Sequence, residues 1–161
     1  SSNADKSYKA FNLDPKRLTL LVTGASQGAT TINELIPELA KLYPNQFLGW
    51  QVLHIAGTEH VDRVKDSWKD LNIPCQVVDF VDEMGLAWNV ADLAITRGGA
   101  NTIAELAINA VPAIILPYPY HKDDHQKTNA MELASIGGVV VEKDYIQTSH
   151  NLDCAGNTML K

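Results

Sequence analysis

The 161-residue sequence has few cysteines, an excess of acidic over basic side chains, and no long apolar run. Cys75 and Cys154 are far apart and form no C-x-x-C pair, which argues against a zinc site or a disulfide framework and favours a reduced, cytosolic setting. The net charge of −6 disfavours a broad nucleic-acid-binding surface, although it allows a local cationic pocket. No stretch approaches the length of a membrane span, and the N-terminus lacks signal-peptide order. The composition therefore predicts a globular protein.

Apolar runs and helical patterns alternate along the chain, and 45% of the residues are hydrophobic, enough for one domain with a substantial core. The patterns predict strands at 18–22, 47–56, 75–80, 93–96 and 112–116, and two glycines lead into a further apolar segment at 139–141. They predict helices at 31–42, 59–71, 84–90, 100–107 and 125–135, with Thr148 capping a last helix. This order predicts an α/β fold with a mainly parallel sheet and helices on both faces.

The first residues lie outside the expected domain. Residues 1–4 resemble an expression-tag remnant, and the polar residues 5–16 are expected to be a linker segment leading into the domain. Residues 17–161 then form one domain, in which Trp68 is expected in the core. His54, His60 and His150 are expected to be structural or exposed.

Four loops are expected at the carboxyl ends of strands, where parallel α/β sheets bind ligands. They cover residues 24–29, 80–84, 97–102 and 117–126. In the first loop, Gly24, Ser26 and Gly28 would allow an anion to approach a helix N-terminus closely. That loop is neither a full G-x-G-x-x-G fingerprint nor a Walker sequence, so on its own it is equally compatible with a structural turn.

The loop after the fourth strand carries a second candidate site. Gly98 and Gly99 would expose backbone amides to a phosphate, and Asn101 and Thr102 add polar groups in the first helical turn. Glu105, one turn further on, could accept hydrogen bonds from two ribose hydroxyls. The alternative is a plain turn followed by a solvated or helix-start carboxylate.

Residues 121–130 form a polar cluster after the fifth strand. Its His121, Asp123, Asp124 and His125 match neither H-E-x-x-H nor a facial triad in spacing, so no metal is expected. There is also no G-x-S-x-G nucleophile motif. A hydrolase or an epimerase would have to use these four side chains.

Together, the segments 24–29, 80–84, 97–105 and 121–130 resemble, in order and spacing, the C-terminal donor-binding half of the MurG family. These are peripheral N-acetylglucosaminyltransferases that convert lipid I to lipid II in peptidoglycan synthesis. The resemblance reaches from about Leu18 to the end of the chain. It implies the Rossmann-like C-terminal half of a GT-B glycosyltransferase, with UDP-N-acetylglucosamine as the ligand and no cofactor or metal.

The resemblance also implies a set of substrate-binding residues. Ser26 would meet the uridine diphosphate, the Val81 backbone the uracil edge, and Glu105 the ribose. Amides of the first turn after Gly99 would hold the diphosphate, and the start of the next helix would contact the sugar. The implied set is Ser26, Gln27, Gly28, Val81, Met84, Ala100, Asn101, Thr102, Ile103, Ala104, Glu105, His125, Gln126 and Asn129.

Three positions depart from or vary within the family pattern. Ala25 replaces a glycine, Gly98 stands where the family often has serine, and position 125 is glutamine or histidine in the family.

In that family, acceptor recognition, membrane attachment and the proposed general base belong to an N-terminal domain, and the resemblance implies that this sequence starts just after the linker to such a domain. No catalytic residue is therefore expected in the chain, which should bind the donor but be inactive alone. The full-length protein is expected at the cytoplasmic side of the bacterial inner membrane, the present chain as a soluble fragment. Alternatives are a separate donor-binding subunit that pairs with a membrane-anchored acceptor subunit, and a non-catalytic nucleotide-binding domain.

Overall fold

A computed structural model describes residues 3–24, 29–120 and 125–159 of the chain. The described residues form a six-stranded sheet in the order 3-2-1-4-5-6, and each strand pairing is parallel. The strands are β1 (Leu18–Thr23), β2 (Trp50–Ile55), β3 (Cys75–Val78), β4 (Leu93–Thr96), β5 (Ala113–Ile115) and β6 (Val139–Val141). The predicted mainly parallel sheet is confirmed.

Within the described part of the chain, five α-helices connect successive strands, one precedes the first strand and two follow the last. They are α1 (Asn3–Ala10), α2 (Thr30–Leu42), α3 (Val61–Trp68), α4 (Met84–Trp88), α5 (Ala100–Asn109), α6 (His125–Ser135), α7 (Thr148–Asn151) and α8 (Asn157–Met159), with a π turn at Leu152–Gly156 between the last two. Among the described residues, no helix is long and apolar enough to cross a membrane.

The sheet separates two apolar cores because alternate side chains of a strand point to opposite faces. In β1, Leu20 and Val22 join α2 and α3 in one core, together with the buried Trp68. Leu21 faces the other core, which it shares with α4, α5 and α6. Both faces of the sheet are covered by helices, as the sequence predicts.

The sequence assigns no helix to residues 5–16, whereas the structure has α1 from Asn3 to Ala10. Tyr8, Phe11 and Leu13 pack this segment against the second core. Its remaining residues are polar, so the local pattern carries little sign of that packing.

Five predicted elements, at 47–56, 59–71, 75–80, 84–90 and 112–116, are longer than the observed ones. The apolar run at 47–56 divides at Gly49, which has φ +81°, so Pro44–Phe47 is a 3₁₀ helix and the strand starts at Trp50. The helix predicted at 59–71 covers only Val61–Trp68. Pro37 lies inside α2 and is buried.

The strand order places β1 and β4 side by side at the centre of the sheet, with Thr23 opposite Thr96. From β1 the chain continues outward through β2 and β3, and from β4 it continues in the other direction. This reversal is the topological switch point where α/β sheets bind ligands. It brings the ends of β1 and β4 to one crevice.

Candidate functional site

A cavity of about 500 Å³ opens at the carboxyl ends of the strands. Its walls come from the ends of β1 and β2, the segment after β3, α4, and the first turns of α5 and α6. The lining residues are Thr23, Ile55, Asp79, Phe80, Val81, Asp82, Met84, Trp88, Gly99, Ala100, Asn101, Thr102, Glu105 and Gln126. Among the described residues, three of the four predicted loops contribute to it, and residues 25–28 of the first loop lie outside the described ranges.

The N-terminus of α5 forms one wall of this cavity. Gly99 precedes the helix in extended conformation and offers no side-chain cap. The first backbone bond of the helix is from Ile103 N to Gly99 O, at 3.0 Å. The N–H groups of Ala100, Asn101 and Thr102 belong to the turn whose donors have no partner within an α-helix, at its positive end. Such a helix end binds anions, and phosphates in particular.

Gly98 brings the first turn of α6 close to this helix end. A Cβ at position 98 would overlap the carbonyl oxygen of Gln126, a backbone atom that cannot move aside by a rotamer change. A serine, frequent here in the resembling family, would therefore require α6 to shift. The side-chain oxygen of Gln126 accepts the Tyr118 N–H at 2.8 Å, so its amide NH₂ is the end able to donate to a ligand.

Glu105 lies on α5 at the cavity wall, one turn beyond the exposed amides. Its Oε2 accepts the indole N–H of Trp88 at 2.8 Å. Trp88 is only 2% exposed. The carboxylate predicted to bind a ribose is therefore held on one side by the buried ring.

Behind the glycine loop lies a buried network that sequence analysis missed. Arg97 donates through Nη1 to Asp144 Oδ2, at 2.5 Å, and to the carbonyl oxygen of Leu116, at 3.0 Å. Its Nη2 donates to Thr31 Oγ1 at 2.7 Å, and Thr31 donates to Asp144 at 2.6 Å. Arg97 and Asp144 are 5% and 2% exposed. The network ties the first turn of α2 to the end of β4, the end of β5 and the segment after β6.

The Asp144 carboxylate is held in its charged form. Burial is the largest single influence on its pKa and raises it, but hydrogen bonds oppose burial and together lower the pKa below its ordinary value of 3.8. The donors are Thr31, Asn151, the Ile146 backbone and Arg97. Nothing local in the sequence marks Asp144, because its partners lie up to 113 positions away.

His54, expected to be structural or exposed, is fully buried and structural. Trp68 Nε1 donates to His54 Nδ1 at 3.1 Å. An indole nitrogen can only donate, so Nδ1 accepts and Nε2 carries the proton that goes to Asn33 Oδ1 at 2.9 Å. Asn33 in turn donates to the Ala56 carbonyl oxygen. Burial lowers the pKa of His54 to about 3, which keeps the ring neutral.

The structure separates the predicted binding residues into three groups. Those on the cavity wall are Val81, Met84, Ala100, Asn101, Thr102, Glu105 and Gln126. Those off the wall are Ile103, Ala104, His125 and Asn129. Those outside the described residues are Ser26, Gln27 and Gly28, together with His121, Asp123 and Asp124 of the polar cluster.

The four residues off the wall have identifiable positions. Ile103 packs into the second core, since it lies on a different side of α5 from Glu105. Ala104 and His125 are exposed, and Asn129 is half-buried one turn into α6. Their contacts with a ligand stay predictions.

Phe80, Asp82 and Gly99 also line the wall and lie in the predicted loops, although they are not in the predicted set of binding residues. The sequence analysis missed four further wall residues: Thr23, Ile55, Asp79 and Trp88. Asp79 follows β3 directly, and Thr23 ends β1, so the rule that ligands meet strand ends could have found them. Trp88 carries no such signal, because it belongs to an apolar helix.

A second cavity, of about 430 Å³, lies between α2, α3 and α7. Its wall includes Glu34, which pairs with Arg63 and accepts a hydrogen bond from Thr148. Two of its charged wall residues, Glu34 and Arg63, thus pair with each other. Within residues 3–24, 29–120 and 125–159, no group of three His, Cys, Asp or Glu side chains is arranged to hold a metal.

The sequence matches the profile of the Glycosyltransferase family 28 C-terminal domain over residues 19–161. A relative from Aquifex aeolicus is 40% identical over 133 residues, which are 83% of this chain and 37% of the relative. One from Burkholderia thailandensis is 42% identical over 130 residues, 78% of this chain and 35% of the relative. Both are named UDP-N-acetylglucosamine–N-acetylmuramyl-(pentapeptide) pyrophosphoryl-undecaprenol N-acetylglucosamine transferase. The chain thus spans little more than a third of their length.

A solved structure of Acinetobacter baumannii MurG has the same fold over 96% of this chain and 44% of its own. The TM-score is 0.76 and the sequence identity 31%. The likeness agrees with the predicted Rossmann-like fold class.

Proposed function

Since this chain belongs to the glycosyltransferase family 28 C-terminal domain family, we propose that it binds UDP-N-acetylglucosamine and supplies the donor half of a MurG-type transferase. The observation that carries the proposal is the cavity at the switch point, where the N-terminus of α5 and the carboxylate of Glu105 share one wall. An anion-binding helix end and a hydroxyl-binding carboxylate about one turn apart suit the diphosphate and ribose of one nucleotide.

The remaining walls of the cavity would contact the uracil and the sugar of the ligand. Val81, which ends the segment after β3, would offer its backbone to the uracil edge, beside Met84. Gln126, with its oxygen engaged by the Tyr118 N–H, would donate its NH₂ to the sugar. Ser26 would meet the diphosphate from the first loop.

In the reaction, the chain would stabilise the leaving UDP. Negative charge develops on the diphosphate as the bond to the sugar breaks, and preorganised amides at a helix N-terminus stabilise that charge. No metal is then required for this step. An inverting transfer to lipid I, giving lipid II, would also need a base and a bound acceptor.

We assign those parts to the portion of the relatives that this chain does not span, more than half of their length. The chain alone is therefore expected to bind the donor without transferring it. Lipid I and the cytoplasmic membrane face would be reached only through that other portion.

Titration calorimetry with UDP-N-acetylglucosamine, UDP and UDP-glucose tests the proposal. We expect binding of UDP and preferential binding of UDP-N-acetylglucosamine over UDP-glucose. A folded sample that binds no UDP would contradict the donor site. Equal affinity for both sugars would contradict the N-acetylglucosamine assignment.

Glu105→Ala is expected to weaken UDP binding by about 1–3 kcal/mol, because ribose hydroxyls lose a charged acceptor. Glu132→Ala on α6 is the matched control, since Glu132 is exposed and is not part of the cavity wall. Unchanged affinity in Glu105→Ala would remove Glu105 from the site.

A further inference from the structure

Two residues of the cavity wall are joined by a hydrogen bond across two helices. Trp88 ends α4, and its indole N–H donates to Oε2 of Glu105 on α5 at 2.8 Å. Both side chains line the cavity at the end of the sheet. The contact therefore connects a core residue to the carboxylate that faces the ligand.

The hydrogen bond between Trp88 and Glu105 can form in one direction only. An indole nitrogen has a single hydrogen to donate and cannot accept, and an ionised carboxylate can only accept. Charge-assisted bonds of this kind are shorter and stronger than bonds between neutral groups. The bond thus favours a single orientation of the Glu105 carboxylate.

The ring itself is fixed by packing. Trp88 belongs to the second core with Ala87, Val90 and Leu106, the last being the neighbour of Glu105 on α5. A glutamate side chain loses considerable rotamer freedom when it becomes ordered in a complex. A ring fixed by this core restricts that freedom before the ligand arrives.

The bond to Trp88 also determines which part of the carboxylate is left for a ligand. Oε2 is engaged by the indole, whereas Oε1 and the second lone pair of Oε2 can still accept. A ribose presents two adjacent hydroxyls that can donate to such a group, and a 2′-deoxyribose presents one fewer.

We propose that Trp88 is a positioning residue that orients Glu105 and thereby sets the preference of the site for ribose over 2′-deoxyribose nucleotides. This inference rests on the proposed donor site. It goes further by assigning a role to a buried aromatic side chain in sugar discrimination.

The test measures the affinities of UDP and 2′-deoxy-UDP for the 161-residue chain by titration calorimetry. The variants are Trp88→Phe, Glu105→Ala and the double variant, with Trp50→Phe as matched control at the opposite end of the sheet. Trp88→Phe should weaken UDP binding roughly 3- to 10-fold, the range of one lost hydrogen bond, and should change 2′-deoxy-UDP binding much less. In the Glu105→Ala background, Trp88→Phe should cause no further loss.

The outcomes distinguish the proposed ribose contact of Glu105 from the positioning role of Trp88. If Glu105→Ala leaves the ribose preference unchanged, the ribose contact of the proposed function is wrong. If Glu105→Ala abolishes the preference but Trp88→Phe keeps it, only the positioning role is wrong. Equal weakening of both nucleotides in Trp88→Phe, or additive losses in the double variant, would also overturn that role.

A spectroscopic measurement covers the case in which Trp88→Phe fails to fold. The chain has three tryptophans, and their indole N–H signals in a ¹⁵N correlation spectrum can be assigned with Trp50→Phe and Trp68→Phe, which leave the Trp88 signal by elimination. UDP should shift the Trp88 signal more than 2′-deoxy-UDP does, and Glu105→Ala should move that signal in the free protein. Equal shifts with both nucleotides would refute the inference.

Discussion

Removing the negative charge of Asp144 should destabilise the fold strongly. Asp144→Asn keeps the side-chain size but takes away the counter-charge of Arg97, whose side chain is only 6% exposed. The new amide group would also place donors where the carboxylate accepts four hydrogen bonds or ion-pair contacts. Breaking a buried ion pair from one side costs about 3–5 kcal/mol. That is a large fraction of the roughly 5–15 kcal/mol that separates folded from unfolded states.

Urea unfolding, followed by tryptophan fluorescence and far-ultraviolet circular dichroism, measures this loss. For a chain of this length, the estimate corresponds to a fall in Tm of roughly 6 to 20 °C. The matched control is Glu38→Gln, which breaks a surface pair with Lys41 at 3.9 Å whose side chains are 46% and 66% exposed. This control should lose no more than about 1 kcal/mol.

The pH dependence of the free energy of unfolding is a second test of the contribution of the Asp144 charge. Because the folded pKa of Asp144 lies below 3.8, its stabilisation is fully present above that pH and is lost as the pH falls through the folded pKa. The difference in unfolding free energy between the wild type and Asp144→Asn should therefore narrow below pH 3.8. A loss no larger than that of Glu38→Gln, or a difference independent of pH, would refute the argument.

Two further predictions concern other buried contacts. His54 is held neutral in the folded protein, with a pKa of about 3 instead of 6.5. As the pH falls from 6.5 to 3, His54 takes up a proton in the unfolded chain but not in the folded one, so the free energy of unfolding should decrease. His54→Gln should flatten this dependence in pH-dependent urea unfolding and the exposed His150→Gln should not, whereas equal slopes in both variants would contradict the assignment.

Gly98→Ala should cost about 1–3 kcal/mol in stability and weaken UDP binding, because the new methyl group meets the Gln126 carbonyl. Gly85→Ala, where a Cβ meets nothing within 4 Å, is the control, and identical UDP affinity in both would refute the close-approach explanation.

Local sequence patterns predicted most of the fold. The strand at Leu93–Thr96 and the helix at His125–Ser135 have the predicted bounds, because a short apolar run and the glycines that bound such elements are local features of the sequence. The family resemblance rested on four motifs and is confirmed by the family match and the named relatives. The prediction that Glu105 binds a ribose came from the same motifs, and the structure places Glu105 on the cavity wall.

The tertiary contacts of Glu105 and Arg97 could not be predicted from the sequence. Trp88 and Glu105 are 17 positions apart, and Arg97 and Asp144 are 47 apart. Neither Trp88 nor Asp144 lies in a motif, and an apolar helix predicts a core tryptophan without indicating where its N–H points. The sequence determined which segments become most of the strands and helices, because that information is local. Only the tertiary structure decided that a buried indole holds the carboxylate of Glu105 and that Arg97 faces inward to Asp144, because both contacts require the sheet to bring distant helices and loops together.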